Sequence, residues 1–153
     1  MTRDLPPKVT VTSRLEAPSS EVWTQITAFE GVNREMSPLL KMTPPATARL
    51  DDAASGEILP IKLKGPLGLP LGTYPLRLVN IETEVGFLEQ TQMLPFLLWQ
   101  HERTLTAEAG GTIVTDSLGW RWRAHRLDAI VAAIVRRFFI HRHRQLRSDF
   151  GER

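Results

Sequence analysis

"FLLWQHERTLTAEAGGTIVTDSLGWRW", residues 96–122, is the stretch whose reading decides the fold. Both halves alternate, and the glycine turn "AGG" at 109–111 folds one back on the other, so the spacing predicts an antiparallel hairpin. In the second half Thr112, Val114, Asp116, Leu118, Trp120 and Trp122 share one face, while Ile113, Thr115, Ser117, Gly119, Arg121 and Arg123 share the other. The tryptophans mark the first set as the inner face. By the same logic Trp99, His101, Arg103 and Leu105 point inward from the first half, and Gln100, Glu102 and Thr104 point away. Neither face of "WQHERTL" is plainly apolar, although a half-buried strand should read hydrophobic inside and polar outside. Either this strand is wet on both faces, or its inner face meets something that wants an imidazole and a guanidinium.

Working outward, "GFLEQTQML" adds a third strand, joined near Pro95, with Phe87, Glu89, Thr91 and Met93 inward. The region before it is rich in proline and glycine. Strands are expected at 57–64 and 74–82, with the Pro-Leu-Gly-Leu-Pro segment between them as a bend, edge or loop. "KVTVTSRL" alternates over residues 8–15 and reads as the first strand. "APSSEVWTQIT" follows as a short helix: Pro18 suits a first turn, Glu21 complements the dipole, and Val22, Trp23 and Ile26 make a stripe. "FEGVNREMSP" reads as a second short helix, with Val32 and Met36 four apart and Pro38 closing it. At the other end "AHRLDAIVAAIVRRFFIHRHRQLRSDF" runs without Gly or Pro. There Leu127, Ile130, Val131, Ile134 and Phe138 keep helical spacing and form the stripe expected to be buried. The order is strand, two short helices, a run of about six strands and one long helix, which makes an α+β fold with the helix packed on an antiparallel sheet.

The 153 residues, 42% of them hydrophobic, suit a single domain spanning 1–153. Without cysteine there are no disulfides, zinc-thiolate sites or thiol nucleophiles. No apolar stretch approaches the ~18 residues of a membrane span, and "MTRDLPPKVTV" lacks the apolar run of a signal peptide, so the expected location is cytoplasmic. The net charge of +2 hides an asymmetry: residues 121–153 hold nine arginines against three acids, and the rest of the chain is acidic on balance. Such a tail can favour nucleic acid or anionic lipid, but a solvated arginine face is its commoner cause.

The element order, with "EAPSSEVW" after the first strand, "GFLEQTQM" leading into "PFLLWQHERTL", the "GGTIVTDSLGW" hairpin and the terminal "RHRQLRSDFG", resembles the START-like or SRPBCC superfamily. This is the helix-grip fold of birch-pollen-allergen-like proteins, polyketide cyclases and lipid-transfer domains. The resemblance covers nearly the whole chain. It implies a curved sheet of about six or seven strands gripping the long helix, with a ligand cavity between them. It does not select a function, because the superfamily carries binding, transfer and catalysis on one scaffold.

Glu89, His101, Arg103 and Asp116 would all point inward, and a dry core does not tolerate unpaired charges. One reading is a structural network, Asp116 with Arg103 and Glu89 with His101, that fixes strand register. Another is a pocket lined by Tyr74, Phe87, Glu89, Trp99, His101, Arg103, Asp116 and Trp120 that positions a ligand's polar end. A third is proton transfer by His101 with Asp116 or Glu89. Duller roles are open to several of these. Trp23 and Trp99 suit the core, Trp120 and Trp122 could cover the cavity mouth or pack under the helix, and Tyr74 could sit at a strand start. Asn33, Arg34 and Glu35 fall where the family's cavity entrance would be, with solvated surface as the simpler reading. No cofactor fingerprint, Ser-His-Asp word or metal-ligand cluster is visible, and His141 and His143, two apart on a helix, face different ways. Binding of a small hydrophobic or lipid-like ligand is therefore expected, with no cofactor or metal. The alternative is a cyclase or dehydratase. A surface module acting through Arg136, Arg137, Arg142, Arg144 and Arg147 is the third class. For it, weak or no binding to anionic lipid is expected, and no nucleic acid, because Phe138 and Phe139 look committed to the core. The oligomeric state is left open.

Overall fold

A computed structural model describes residues 4–45, 49–53 and 56–153. Met1–Arg3, the start of the stretch read against a leader, lie outside the described residues. Seven antiparallel strands form one sheet in the order β1-β7-β6-β5-β4-β3-β2. They are β1 (Val9–Leu15), β2 (Lys41–Thr43), β3 (Ile58–Lys64), β4 (Pro70–Glu82), β5 (Gly86–Met93), β6 (Phe96–Glu108) and β7 (Gly111–Arg121). Two short helices, α1 (Ser19–Ile26) and α2 (Phe29–Met36), follow β1, and α3 (Asp128–Phe150) closes the chain. Among the described residues no helix is long and apolar enough to cross a membrane.

The hairpin forms as its sequence requires. Gly110 takes the left-handed φ of +82° in the turn, and a Cβ on Gly111 would stand 1.9 Å from the Leu15 carbonyl oxygen of β1, so only glycine permits that approach. The resulting register sets Arg103 opposite Asp116, Glu89 opposite His101 and Trp99 opposite Trp120. Register breaks at Leu63/Lys64, Leu78/Asn80 and Thr91/Met93 add local twist on one side of the sheet, and bulges of this kind curve it around the helix. The Pro-Leu-Gly-Leu-Pro segment is the expected bend, with a 3-10 turn over Pro66–Gly68, while β4 begins at Pro70, four residues before the expected start at 74; Pro60 faces Pro75 where β3 extends past β2.

The opening ambiguity of β6 resolves as burial on both faces. On the side away from α3, Gln100 is covered by the N-terminal segment: its Oε1 accepts from the Asp4 and Leu5 amides and its Nε2 donates to the Leu5 carbonyl.

The expected stripe of α3 is corrected by the structure. Leu127, Ile130 and Ile134 are exposed, Val131 and Phe138 are half-buried, and the helix buries Phe139, Arg142, His143 and Leu146 instead. Those four positions keep the i, i+3, i+4, i+7 spacing of one helical face. The second half of α3 thus rests on the sheet through a mixed polar face, while its first half stands over a cavity. Asp128 anchors the start: it accepts from Trp120 Nε1 at 3.1 Å and Trp122 Nε1 at 2.6 Å, and pairs with Lys8. With Lys8 first among the causes, these contacts pull the Asp128 carboxyl down to about 2.

Candidate functional site

β5, β6 and β7 bring Glu89, His101, Arg103 and Asp116 to the concave face, and α2 and α3 cover them with Glu35, Arg142 and His143. Asp116 is fully buried and accepts four hydrogen bonds. Oδ1 receives His101 Nε2 and Arg103 Nε, both at 2.7 Å, and Oδ2 receives Arg103 Nη2 at 2.6 Å and His143 Nε2 at 2.8 Å. Arg103 reaches on to Glu35, with Nη1 2.9 Å from Oε1 and 3.1 Å from Oε2. Arg142 Nε and Nη2 each lie 3.3 Å from Glu35 Oε1. His143 Nε2 donates to the ionised Asp116 carboxylate, and its Nδ1 lies 2.7 Å from the Ser13 hydroxyl, which also accepts from Arg147. The planar fork of Arg103 is what lets one cation join two acids.

Two features of this cluster depart from the sequence reading. Glu35, read as solvated surface, is fully buried, and Arg142, counted on a solvated arginine face, is buried beside it. Neighbouring Asn33 bonds the Met42 backbone in both directions and pins β2, while Arg34 pairs with Asp149. The second departure is Glu89, whose Oε1 lies 3.8 Å from His101 Nδ1, an ion-pair contact longer than a hydrogen bond. Its firm partners are Tyr74, whose hydroxyl donates to Oε2, and Thr91, which donates to the same oxygen at 2.7 Å.

Burial penalises every charge here, and the neighbours decide the outcome. Burial pushes the Asp116 carboxyl up, but Arg103 and then His101 hold it well below 3.8. Burial pulls His101 down, but the Asp116 carboxylate, with a contribution from Glu89, lifts it above 6.5. Burial and the Glu89 carboxylate together push the Tyr74 phenol well above 10.0, so it stays a donor. The raised His101 stabilises the fold fully below pH 6.5 and loses that contribution as pH rises through its folded pKa. The lowered Asp116 contributes above pH 3.8 and loses its part as pH falls through its own. Melting temperature is therefore expected to be highest between these two values and to decline on both sides. The alkaline decline should shrink in His101→Gln, and an unchanged alkaline limb in that variant would refute the assignment.

Between this cluster and the first half of α3 lies a cavity of about 450 Å³. Its walls are apolar, from Met36, Leu40, Met42, Leu63, Met93, Phe96 and Trp99 on one side to Val131, Ile134, Val135, Phe138 and Phe139 on the other. Tyr74, Glu89, His101 and Arg142 form its polar floor. A small recess of about 40 Å³ continues from the floor beside Phe87. Of the residues the sequence offered as a ligand set, Tyr74, Glu89, Trp99 and His101 line the main cavity and Phe87 lines the recess. Arg103, Asp116 and Trp120 line neither: the first two sit behind the floor, and Trp120 stacks on Trp99 at 5.9 Å while anchoring Asp128. Two open grooves of about 530 and 560 Å³, beside α1–α2 and beside the Gly110 turn, contain none of the inward cluster. His143 is buried on Asp116, whereas His141 turns to the Ser37 carbonyl, so the two histidines do face different ways.

A curved antiparallel sheet gripping one long helix above two short ones defines a protein of the helix-grip class. Within that class the chain belongs to the family described as a domain of unknown function, DUF8410, whose model matches residues 13–150. Solved structures share the fold at low identity. Protein CV1439 of Chromobacterium violaceum superposes with a TM-score of 0.74 at 11% identity, covering 97% of this chain and 100% of that one. DynU16, a protein from the dynemicin biosynthetic locus, gives 0.61 at 19% identity over 95% of this chain, which spans 49% of DynU16. Ara h 8.0201 gives 0.61 at 10% identity, over 92% and 97% of the two chains. No curated protein is similar enough to this chain to count as a match.

Proposed function

We propose that this chain binds a small, largely apolar ligand whose polar end meets Tyr74, Glu89, His101 and Arg142. The observation that carries the reading is the cavity itself: about 450 Å³ of apolar wall closing on a floor of four polar groups. Ligand pockets commonly measure about 300–1,000 Å³, are mostly apolar, and use a few convergent polar groups to fix orientation. Arg142 is the looser of the two cations on Glu35, at 3.3 Å against 2.9 Å for Arg103, and it is the one on the cavity side. It suits an anionic or strongly accepting end. The similar solved structures support the fold, and the ligand reading rests on this geometry.

Val135→Trp, which fills the cavity from its wall, is expected to abolish saturable binding of the apolar fluorophore 1-anilinonaphthalene-8-sulfonate while leaving a cooperative melt. Native mass spectrometry of protein made in its own host should show a retained small molecule that this variant lacks. Fluorophore binding that survives Val135→Trp would sink the proposal.

Acid–base catalysis of the cyclase or dehydratase type is a second reading, favoured by one observation. His101 holds Asp116 through Nε2 and turns Nδ1 toward Glu89 on the cavity floor, so a proton could leave or enter from that side. His101→Gln should then stop turnover of a cavity ligand and spare its binding.

A further inference from the structure

We propose that the open end of the cavity is a docking surface for an anionic lipid bilayer. Eight large apolar side chains are exposed there: Leu67, Leu69 and Leu71 at the β3–β4 connection, Leu94 and Leu97 at the β5–β6 turn, and Leu127, Ile130 and Ile134 on the first half of α3. Topology brings them together. β4 and β5 are antiparallel neighbours, so the start of β4 and the end of β5 share one end of the sheet. The first half of α3 faces that end, because Val131, Ile134 and Val135 line the same cavity as Leu63, Met93 and Phe96. The rim also continues the lining along the chain: Leu63 precedes Leu67, and Met93 and Phe96 directly precede Leu94 and Leu97. Single exposed leucines are ordinary on a soluble protein, but a contiguous cluster framing a cavity mouth marks an interaction surface.

The charges around the mouth select the occupant. Residues 58–76, 91–99, 117–127 and 129–138 contain no Asp or Glu. They carry Lys62, Lys64, Arg121, Arg123, Arg126 and Arg137, all exposed. The acid beside them, Asp128, is engaged by Lys8, Trp120 and Trp122. A second copy docked mouth to mouth would set these cations against each other. An anionic bilayer instead offers phosphates to the cations and hydrocarbon to the leucines, and attracts basic groups within a Debye length of its surface. This surface shares only Arg137 with the arginine face the sequence suggested, of which Arg142 is buried and Arg147 bonds Ser13. It also does not require that the cavity hold a ligand.

Cosedimentation with phosphatidylcholine vesicles, with and without added phosphatidylglycerol, tests the proposal. The protein is expected to sediment with the anionic vesicles and not with the neutral ones, and to be released as salt rises. Leu67→Ser and Leu94→Ser should each weaken partitioning by about tenfold, since a leucine withdrawn from hydrocarbon loses at least that factor. Their melting temperatures should be unchanged because both side chains are exposed, and fluorophore binding in the cavity should be unchanged too, which keeps this test separate from the ligand reading. Lys62→Gln with Lys64→Gln should weaken the salt dependence. Absence of vesicle binding, or wild-type binding by the leucine variants, would overturn the proposal. So would a dimer in light scattering that Leu67→Ser with Leu94→Ser splits, because the face would then join two copies.

Discussion

Asp116→Ala is expected to cost about 3–5 kcal/mol of folding stability, the range found when one partner is removed from a buried ion pair. The carboxylate is the acceptor on which His101, Arg103 and His143 converge, through four hydrogen bonds of 2.6–2.8 Å. Of the three, Arg103 has no way out. His101 can give up its proton when its acceptor disappears, but a guanidinium cannot be deprotonated in a protein, and Arg103 is fully buried. Glu35 would still hold Nη1, leaving Nε and Nη2 without an acceptor, and each unsatisfied buried donor costs about 1–3 kcal/mol. Against a typical domain margin of about 5–15 kcal/mol, the variant should unfold at a much lower urea concentration. Asp116→Asn keeps the volume and one acceptor but turns an amide N–H toward the donors, so it should fall in the same range. A loss under about 1 kcal/mol in both variants would mean that the carboxylate is not what holds these three side chains. Because Asp116 does not line the cavity, any change in ligand binding has to pass through His101 or along Arg103 and Glu35 to Arg142.

The strand faces were legible because alternation along a strand depends only on counting: once the tryptophans marked the inner face, His101, Arg103, Asp116 and Glu89 followed. The α3 contact was only partly legible from apolarity. Phe139 reads as core and is buried, but the apolar residues of the first half of α3 frame a cavity and its open rim, while the face that touches the sheet is Phe139, Arg142, His143 and Leu146. Position would have found it, since 139, 142, 143 and 146 share one face whatever side chains they carry. The same holds for α2: Phe29, Val32 and Met36 form its buried stripe, and Glu35, three residues after Val32, falls on that stripe. A charged residue on an otherwise buried helical face requires a buried counter-charge. The sequence offered Arg103 on an inner strand face, but only the packing of α2 over β6 shows that the two meet. The outer face of β6 was illegible for another reason, because the cover over Gln100 comes from Asp4 and Leu5 rather than from a regular element.

Glu35→Ala separates the two readings of α2. On a solvated helix the change would stay within about 0.5 kcal/mol, and alanine's better helix propensity would favour it slightly. In the structure Glu35 is fully buried between Arg103 and Arg142, and its loss leaves both guanidinium groups short of an acceptor, so destabilisation of about 3 kcal/mol or more is expected. Arg142 is nearer the cavity and can turn into it. Two further measurements follow from that freedom. Arg142→Ala made on the Glu35→Ala background should cost less than it does alone, with a coupling of about 0.5–3 kcal/mol in a double-mutant cycle. Glu35→Gln, which keeps the volume and leaves Arg142 without its counter-charge, should bind the anionic 1-anilinonaphthalene-8-sulfonate more tightly than the native chain does, while affinity for a neutral apolar probe stays level. Additive costs for Glu35 and Arg142 would show that the 3.3 Å contacts carry no interaction energy, and Arg142 would then face the cavity as an independent cation rather than one held in check by α2.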